Sequence, residues 1–277
     1  MSRIAARFAA LRAEGRKAVL PYIVAGDPAA DITVDLMAAL VEAGADLIEL
    51  GVPFSDPMSE GPVIQRGHER ALDRGIRLRH AIEIVREFRQ RDADTPVLLM
   101  GYANPVERMG YARFADEASA AGVDALLTVD IPPEEVATVR AELDRVGMDN
   151  IFLVAPTTPE ERRRRIASEA SGFIYYVSLK GVTGAGNLDQ VEVATQVDLL
   201  RQYGDLPVCV GFGIKDGASA AAVARSADGV VVGSALVQRL ADVVAGGGDR
   251  SAVLSAAREL LSEIRRSVDA VPDEAAA

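Results

Sequence analysis

Eight short runs rich in β-branched and apolar residues recur along this chain, at 19–25, 47–51, 97–101, 125–129, 151–155, 173–177, 208–211 and 229–233. Segments of helical period separate them, such as Ile32/Leu36/Leu40, Tyr111/Phe114/Ala118 and Val193/Val197/Leu200. Strict alternation of strand and helix implies parallel pairing with right-handed crossovers. An open doubly wound sheet would need edge strands, yet runs such as 98–100 and 126–129 read as buried on both faces. The expected fold is therefore α/β, a single (β/α)8 TIM barrel. The pattern predicts three additions to it. An N-terminal helix (Ile4, Phe8, Leu11) covers the barrel bottom, an extra helix (Leu78, Ile82, Val85) follows the second unit, and a short helix at 235–244 follows the eighth strand. Helix starts are expected at Thr158, as a cap before Pro159, Glu160 and Glu161, and in the similar segment 131–135. No linker divides residues 1–277, so one domain is expected, with a frayed tail at 272–277.

Composition narrows the function. A formal charge of −11 argues against nucleic acid or an anionic membrane as partner. Any bound anion must be held locally, against an unfavourable overall field. Cys209 is the single cysteine, so no intrachain disulfide forms, and with no signal-like segment a cytoplasmic protein is expected. His68 and His80 lie outside any metal-ligand spacing, and no metal is expected. Both histidines read as residues of outer helices, and Cys209 as a core residue.

The second strand contains an anomaly. Glu49 interrupts the apolar run Leu47, Ile48, Leu50, where a carboxylate is costly unless paired or neutral. Glu49 is third from its strand end, so an inward orientation places it at the C-terminal mouth, where such barrels carry their active sites. Period-two alternation sets Tyr22, Met100, Leu127, Val129, Tyr175 and Phe212 at comparable heights. Barrel filling explains any one of them; as a set they suit a flat apolar ligand. Glycine loops at 181–186, 211–213 and 233–234 end the last three strands, and the short helix follows. Backbone N–H groups of such loops, with a helix N-terminus, make a phosphate cradle. The loop after strand two, with Pro53, Phe54, Pro57 and Met58, is apolar for a surface segment, which suits a partner face or a lid.

These residues resemble the tryptophan synthase alpha chain family. The motifs that carry the likeness are IELGVPFSDPMSEGPVIQ at 48–65, YIVAGDP at 22–28, GYANP at 101–105, VDIPPEE at 129–135, YYVSLKGVTGA at 175–185, GFGI at 211–214 and VVGSA at 231–235. The resemblance implies retro-aldol cleavage of indole-3-glycerol phosphate to indole and glyceraldehyde 3-phosphate. It implies no cofactor in this subunit, and a β subunit that carries pyridoxal phosphate, in an αββα heterotetramer. By the same likeness Glu49 performs acid–base work and Glu60 is the second acid, at a position where aspartate is the expected residue. Tyr175 and Thr183 position substrate, Gly184, Gly213, Gly233 and Ser234 hold the phosphate, and Asp56, Pro57, Asn104 and Pro132 face the β subunit. Two alternatives stay open: another phosphate-binding barrel enzyme, and a barrel that binds the ligand and activates a partner with little turnover of its own.

Overall fold

A computed structural model describes residues 2–178, 190–211 and 213–272. Eight strands close into a parallel barrel in sequence order. They are β1 (Ala18–Val24), β2 (Ile48–Gly51), β3 (Val97–Gly101), β4 (Ala125–Thr128), β5 (Asp149–Val154), β6 (Ile174–Val177), β7 (Val208–Gly211) and β8 (Gly229–Val232). The helices described begin with α1 (Arg3–Ala13), α2 (Thr33–Glu42), α3 (Pro62–Asp73), α4 (Leu78–Phe88), α5 (Ala103–Met109) and α6 (Tyr111–Ala121). They continue with α7 (Ala137–Val146), α8 (Glu160–Glu169), α9 (Gln190–Arg201), α10 (Gly217–Ala224), α11 (Ser234–Ala245) and α12 (Arg250–Asp269). All three expected additions are present, as α1, α4 and α11. The part of the expected frayed tail at 273–277 lies outside the described residues.

Alternation sorts the side chains into two cores. Outward-facing strand residues such as Ile23, Leu50, Leu99 and Val210 pack under the helices. Inward-facing ones, among them Leu20, Leu98, Ala125, Ile151, Phe173 and Cys209, fill the barrel, and Ile4, Phe8 and Leu11 of α1 close it from below. Cys209 is a fully buried core residue, as expected.

The bottom of the barrel is held by a repeated device. Asp46, Asp124 and Asp228 each precede a strand and accept a backbone N–H from the first or second residue of the strand before it: Val19, Val97 and Val208, each at 2.8 Å. Their own N–H groups return bonds to the carbonyls of those same residues at 2.9 Å. Asp46 also meets Arg265 at 2.9 Å, and Asp124 meets Arg89 at 2.7 Å and Arg3 at 2.9 Å. Satisfying strand-start donors at this end stabilises the barrel and leaves the other end to the loops.

Two expected helix starts are corrected. Thr158 does not cap α8; its Oγ1 accepts the N–H of Ala155 at 3.0 Å, and Pro159 takes the cap position without a side-chain bond. Segment 131–135 is not the first turn of a helix either. Glu135 N–H closes a turn on the Pro132 carbonyl at 3.0 Å, and α7 starts only at Ala137. In both places the side chain or proline satisfies a local turn instead of a helix end. Among the described residues no helix is long and apolar enough to cross a membrane.

Candidate active site

Glu49 points into the barrel mouth. It is Cα register partner of Tyr22 on β1 and of Leu98 on β3, and it is fully buried. Neither carboxyl oxygen has a hydrogen-bond partner among the described residues. That separates it from the other buried acids of the barrel: Asp27 is clamped by Arg70 at 2.7 and 2.8 Å, and Asp46 and Asp124 have the partners given above. An ion pair with a basic neighbour, the simplest structural reason for an acid in this strand, is absent among the described residues. Burial pushes the Glu49 carboxyl up to about 8, and the negative charge of Glu60 adds to that rise. A carboxyl with such a pKa is able to give and take a proton near neutral pH.

Glu60 reaches the same chamber from the loop between β2 and α3. Burial raises its pKa, and a hydrogen bond from the Tyr102 hydroxyl to Oε2 opposes the rise. That hydroxyl also accepts the Ser59 N–H at 3.2 Å, and the Tyr102 ring stacks on Phe54 with centroids 4.7 Å apart. Gln65 Nε2 ties the loop by donating to the carbonyls of Glu60 at 2.9 Å and Pro57 at 3.3 Å. The loop thus folds over its own barrel: Pro53 and Pro57 are buried, and of its apolar residues Met58 stands out, 81% exposed.

The inward residues nearest the strand ends grade from buried to accessible. Leu98, Ala125 and Ile151 are buried, whereas Met100, Val129, Leu153 and Tyr175, further along the same faces or strands, are partly exposed. Met100 and Leu127 are direct register partners, and Leu127 is buried beneath the mouth. These side chains pack on the inner core of the barrel and carry its apolar lining toward the mouth.

Two tyrosines cross this chamber over glycines. The Tyr22 hydroxyl lies 2.2 Å from where a Cβ on Gly51 would stand, and the Tyr175 hydroxyl 2.4 Å from the same point on Gly211. Each glycine ends the strand next to its tyrosine, so a bare backbone there gives the ring its path into the mouth. Gly51→Ala is expected to displace the Tyr22 ring and cost about 1–3 kcal/mol. Urea unfolding measures this, and an unchanged midpoint would show that the ring has room to spare.

Gly213 adopts φ +77°, a left-handed conformation that favours glycine. Gly233 precedes α11, whose first residue is Ser234, so β8 delivers the chain into a helix N-terminus beside the mouth. A Cβ on Gly233 would meet only ordinary contacts with Tyr22 and Ile64 at 3.5–3.7 Å, so packing does not demand a glycine there. Thr183, Gly184 and Phe212 lie outside the described residues. On the rim, Asp56 and Asn104 are exposed, Pro132 is half-buried and Pro57 is buried. Asp130 Oδ1 accepts the Ala103 N–H at 2.7 Å and so joins the start of α5, which carries Asn104, to the loop that carries Pro132. Among the described residues no cluster of His, Cys, Asp or Glu could hold a metal ion.

Three participants escape the sequence reading. Leu153 needed only the alternation along β5. Tyr102 lies within GYANP, yet nothing in that motif says that its hydroxyl reaches a loop acid. His68 does sit on an outer helix, α3, but its imidazole is buried and bonded to Tyr22 at the mouth.

A closed parallel barrel with a buried glutamate at its C-terminal mouth, raised to about 8 and unpaired among the described residues, has the fold of the (β/α)8 enzyme class and a carboxyl suited to acid–base chemistry. The model of a family described as tryptophan synthase alpha chain matches residues 8–267, and the chain belongs to that family. The alpha chain of Thioalkalivibrio sulfidiphilus is 58% identical over 269 residues, 97% of this chain and 100% of that protein. That of Chromobacterium violaceum is 60% identical over 240 residues, 87% of this chain and 91% of its own. The crystal structure of tryptophan synthase subunit alpha from Legionella pneumophila superposes with a TM-score of 0.91 at 45% identity, covering 97% of this chain and 99% of that one.

Proposed function

We propose that this chain, as one barrel domain, cleaves indole-3-glycerol phosphate to indole and glyceraldehyde 3-phosphate in tryptophan biosynthesis. The observation that carries the assignment of roles is the buried Glu49 carboxyl, without a hydrogen-bond partner among the described residues and raised to about 8. In the first step Glu49 gives its proton to indole C3, while the Glu60 carboxylate accepts a hydrogen bond from the indole N–H and stabilises the positive charge developing there. In the second, ionised Glu49 takes the proton of the glycerol hydroxyl next to the ring. The carbon–carbon bond then breaks, its electron pair returns to the indole ring, and the hydroxyl carbon leaves as the aldehyde. Glu49 ends protonated, ready for another turnover. Bond cleavage of this kind needs proton transfers only, which side chains supply, so the subunit requires no cofactor of its own.

Tyr22, Met100, Leu127, Val129, Tyr175 and Phe212 enclose the ring, with Thr183 helping to position substrate. Gly184, Gly213, Gly233 and Ser234 hold the phosphate through backbone N–H groups and the α11 N-terminus, an anchor that suits a chain of charge −11. Glu60 takes the place of the expected aspartate, since the Tyr102 bond holds its longer side chain at the mouth. The cytoplasmic partner is a β subunit with pyridoxal phosphate, in an αββα assembly, met by Asp56, Pro57, Asn104 and Pro132.

The purified chain is expected to form indole slowly alone and much faster with a β subunit, as followed by indole release. Absence of indole with the partner present, together with a rise in the partner's activity, would favour a regulatory barrel instead. Met58→Ser is expected to weaken β-subunit binding about tenfold, because a large apolar side chain 81% exposed on the rim loses its burial in the complex. Calorimetric titration reads this, and unchanged affinity would remove the loop from the interface.

A further inference from the structure

His68 is a buried group at the mouth that the reaction above does not use. Its helix, α3, follows directly on the Glu60 loop and is pinned to the end of β1 by the Arg70–Asp27 ion pair. The imidazole makes two hydrogen bonds of different kinds. The Phe54 N–H donates to Nδ1 at 3.1 Å, and Nε2 lies 3.1 Å from the Tyr22 hydroxyl oxygen. A ring nitrogen that accepts carries no proton, so the neutral ring has its proton on Nε2. A doubly protonated ring would turn an N–H against the Phe54 N–H. Burial disfavours that form too, lowering the His68 pKa to about 4. Nε2–H must therefore donate to Tyr22.

This fixes what Tyr22 can do. With its oxygen accepting from His68, its own proton is left to point elsewhere, and Tyr22 has no other hydrogen-bond partner among the described residues. Its oxygen lies over the inner face of Gly51, two residues beyond Glu49 on β2. The groups whose charge reaches it are Glu60 and Glu49, then Tyr102 and Asp27. Asp27 is engaged by Arg70, and Glu60 already receives the Tyr102 hydroxyl. Glu49 alone of these acids has both oxygens free of protein partners among the described residues.

We propose that His68 orients Tyr22 as a one-way hydrogen-bond donor into the chamber, where its hydroxyl holds the Glu49 carboxylate in the ionised stage of turnover. Tyr22 is then a specific part of the acid–base machinery beyond its ring surface, and His68 is a positioning residue. The inference rests on the acid–base role of Glu49 given above. The competing structural role is a strap that merely ties α3 to β1.

The test uses the full chain with its β subunit and the pH profile of indole formation. Tyr22→Phe keeps the ring and removes the donor, so the basic limb set by Glu49 should move up by about one unit and kcat fall about tenfold, with KM little changed. His68→Leu should move the same limb in the same direction but less. His68→Gln, whose amide can accept from Phe54 and donate to Tyr22, should restore it. The double variant Tyr22→Phe, His68→Leu should be no worse than Tyr22→Phe alone, since both act through one hydroxyl. With only two histidines in the chain, 15N spectra of the imidazoles should show His68 as the neutral Nε2–H form from pH 6 to 9. Superimposable pH profiles, additive losses, or an Nδ1–H tautomer would each overturn the proposal. A wild type that forms no indole with the β subunit would instead overturn the assigned reaction, and the imidazole spectrum would still decide the orientation of His68.

Discussion

Glu49→Gln is expected to lower indole formation by about a hundredfold to ten-thousandfold, the range that a positioned general acid–base supplies. Glutamine keeps the shape and can neither give nor take the proton, so binding of a glycerol-phosphate analogue should survive. Stability should change in the opposite sense. The folded-state pKa of Glu49 is raised to about 8, above the usual carboxylate range. Its neutral form is therefore compatible with the fold at low pH, and the contribution is fully present below the unfolded pKa and lost as pH rises through about 8. At about 1.4 kcal/mol per unit of pKa difference, the wild type gives up several kcal/mol across that window. The glutamine variant carries no such loss, so it should match wild type near pH 4 and unfold at higher urea near pH 9. Activity of the wild type should decline above pH 8 for the same reason, because the first step consumes protonated Glu49. A variant that still released indole at near wild-type rate would move the acid–base role to another residue.

Asp124→Ala is expected to cost about 3–5 kcal/mol of folding stability. The carboxylate is nearly inaccessible and receives Arg89, Arg3 and the Val97 N–H. Removing it leaves the Arg89 guanidinium, itself mostly buried, without its counter-charge, and orphans the donor that opens β3. That is a large share of the 5–15 kcal/mol typical of a folded domain. Asp124→Asn keeps an acceptor for Val97 and loses only the charge, so it should cost roughly half as much. Urea midpoints with an unchanged slope measure both. Residual folded protein should keep its indole activity, since the clamp lies at the bottom of the barrel. A loss below about 1 kcal/mol for the alanine variant would mean that Asp124 is not a clamp of the bottom face.

Much of the barrel is legible in the chain because its rules are local and periodic. The eight strand runs lie within about two residues of β1–β8, and alternation alone turns Glu49 and Tyr22 to the same face. Helix starts are less legible. At Thr158 and at 131–135 the same residues that cap helices close turns, and which they do depends on where the preceding strand ends. The apolar loop of Pro53, Phe54, Pro57 and Met58 shows the same limit. Hydrophobicity marks it as a segment that needs cover, yet only the fold reveals that its own barrel and Tyr102 cover all but Met58.

By itself the sequence determined the closed strand order and the inward acid at the mouth, since strand period acts within a few residues. Tertiary structure decided which acids are paired and which is not. Asp27, Asp46 and Asp124 find arginines 43, 219 and 35 positions away along the chain, and Glu49 finds none among the described residues. It also decided that the Tyr102 hydroxyl meets Glu60 and that His68 on an outer helix bonds a tyrosine inside the barrel. Hydrogen bonds and ion pairs are set by distances of about 3 Å between residues remote in the chain, and only closure of the barrel fixes those distances.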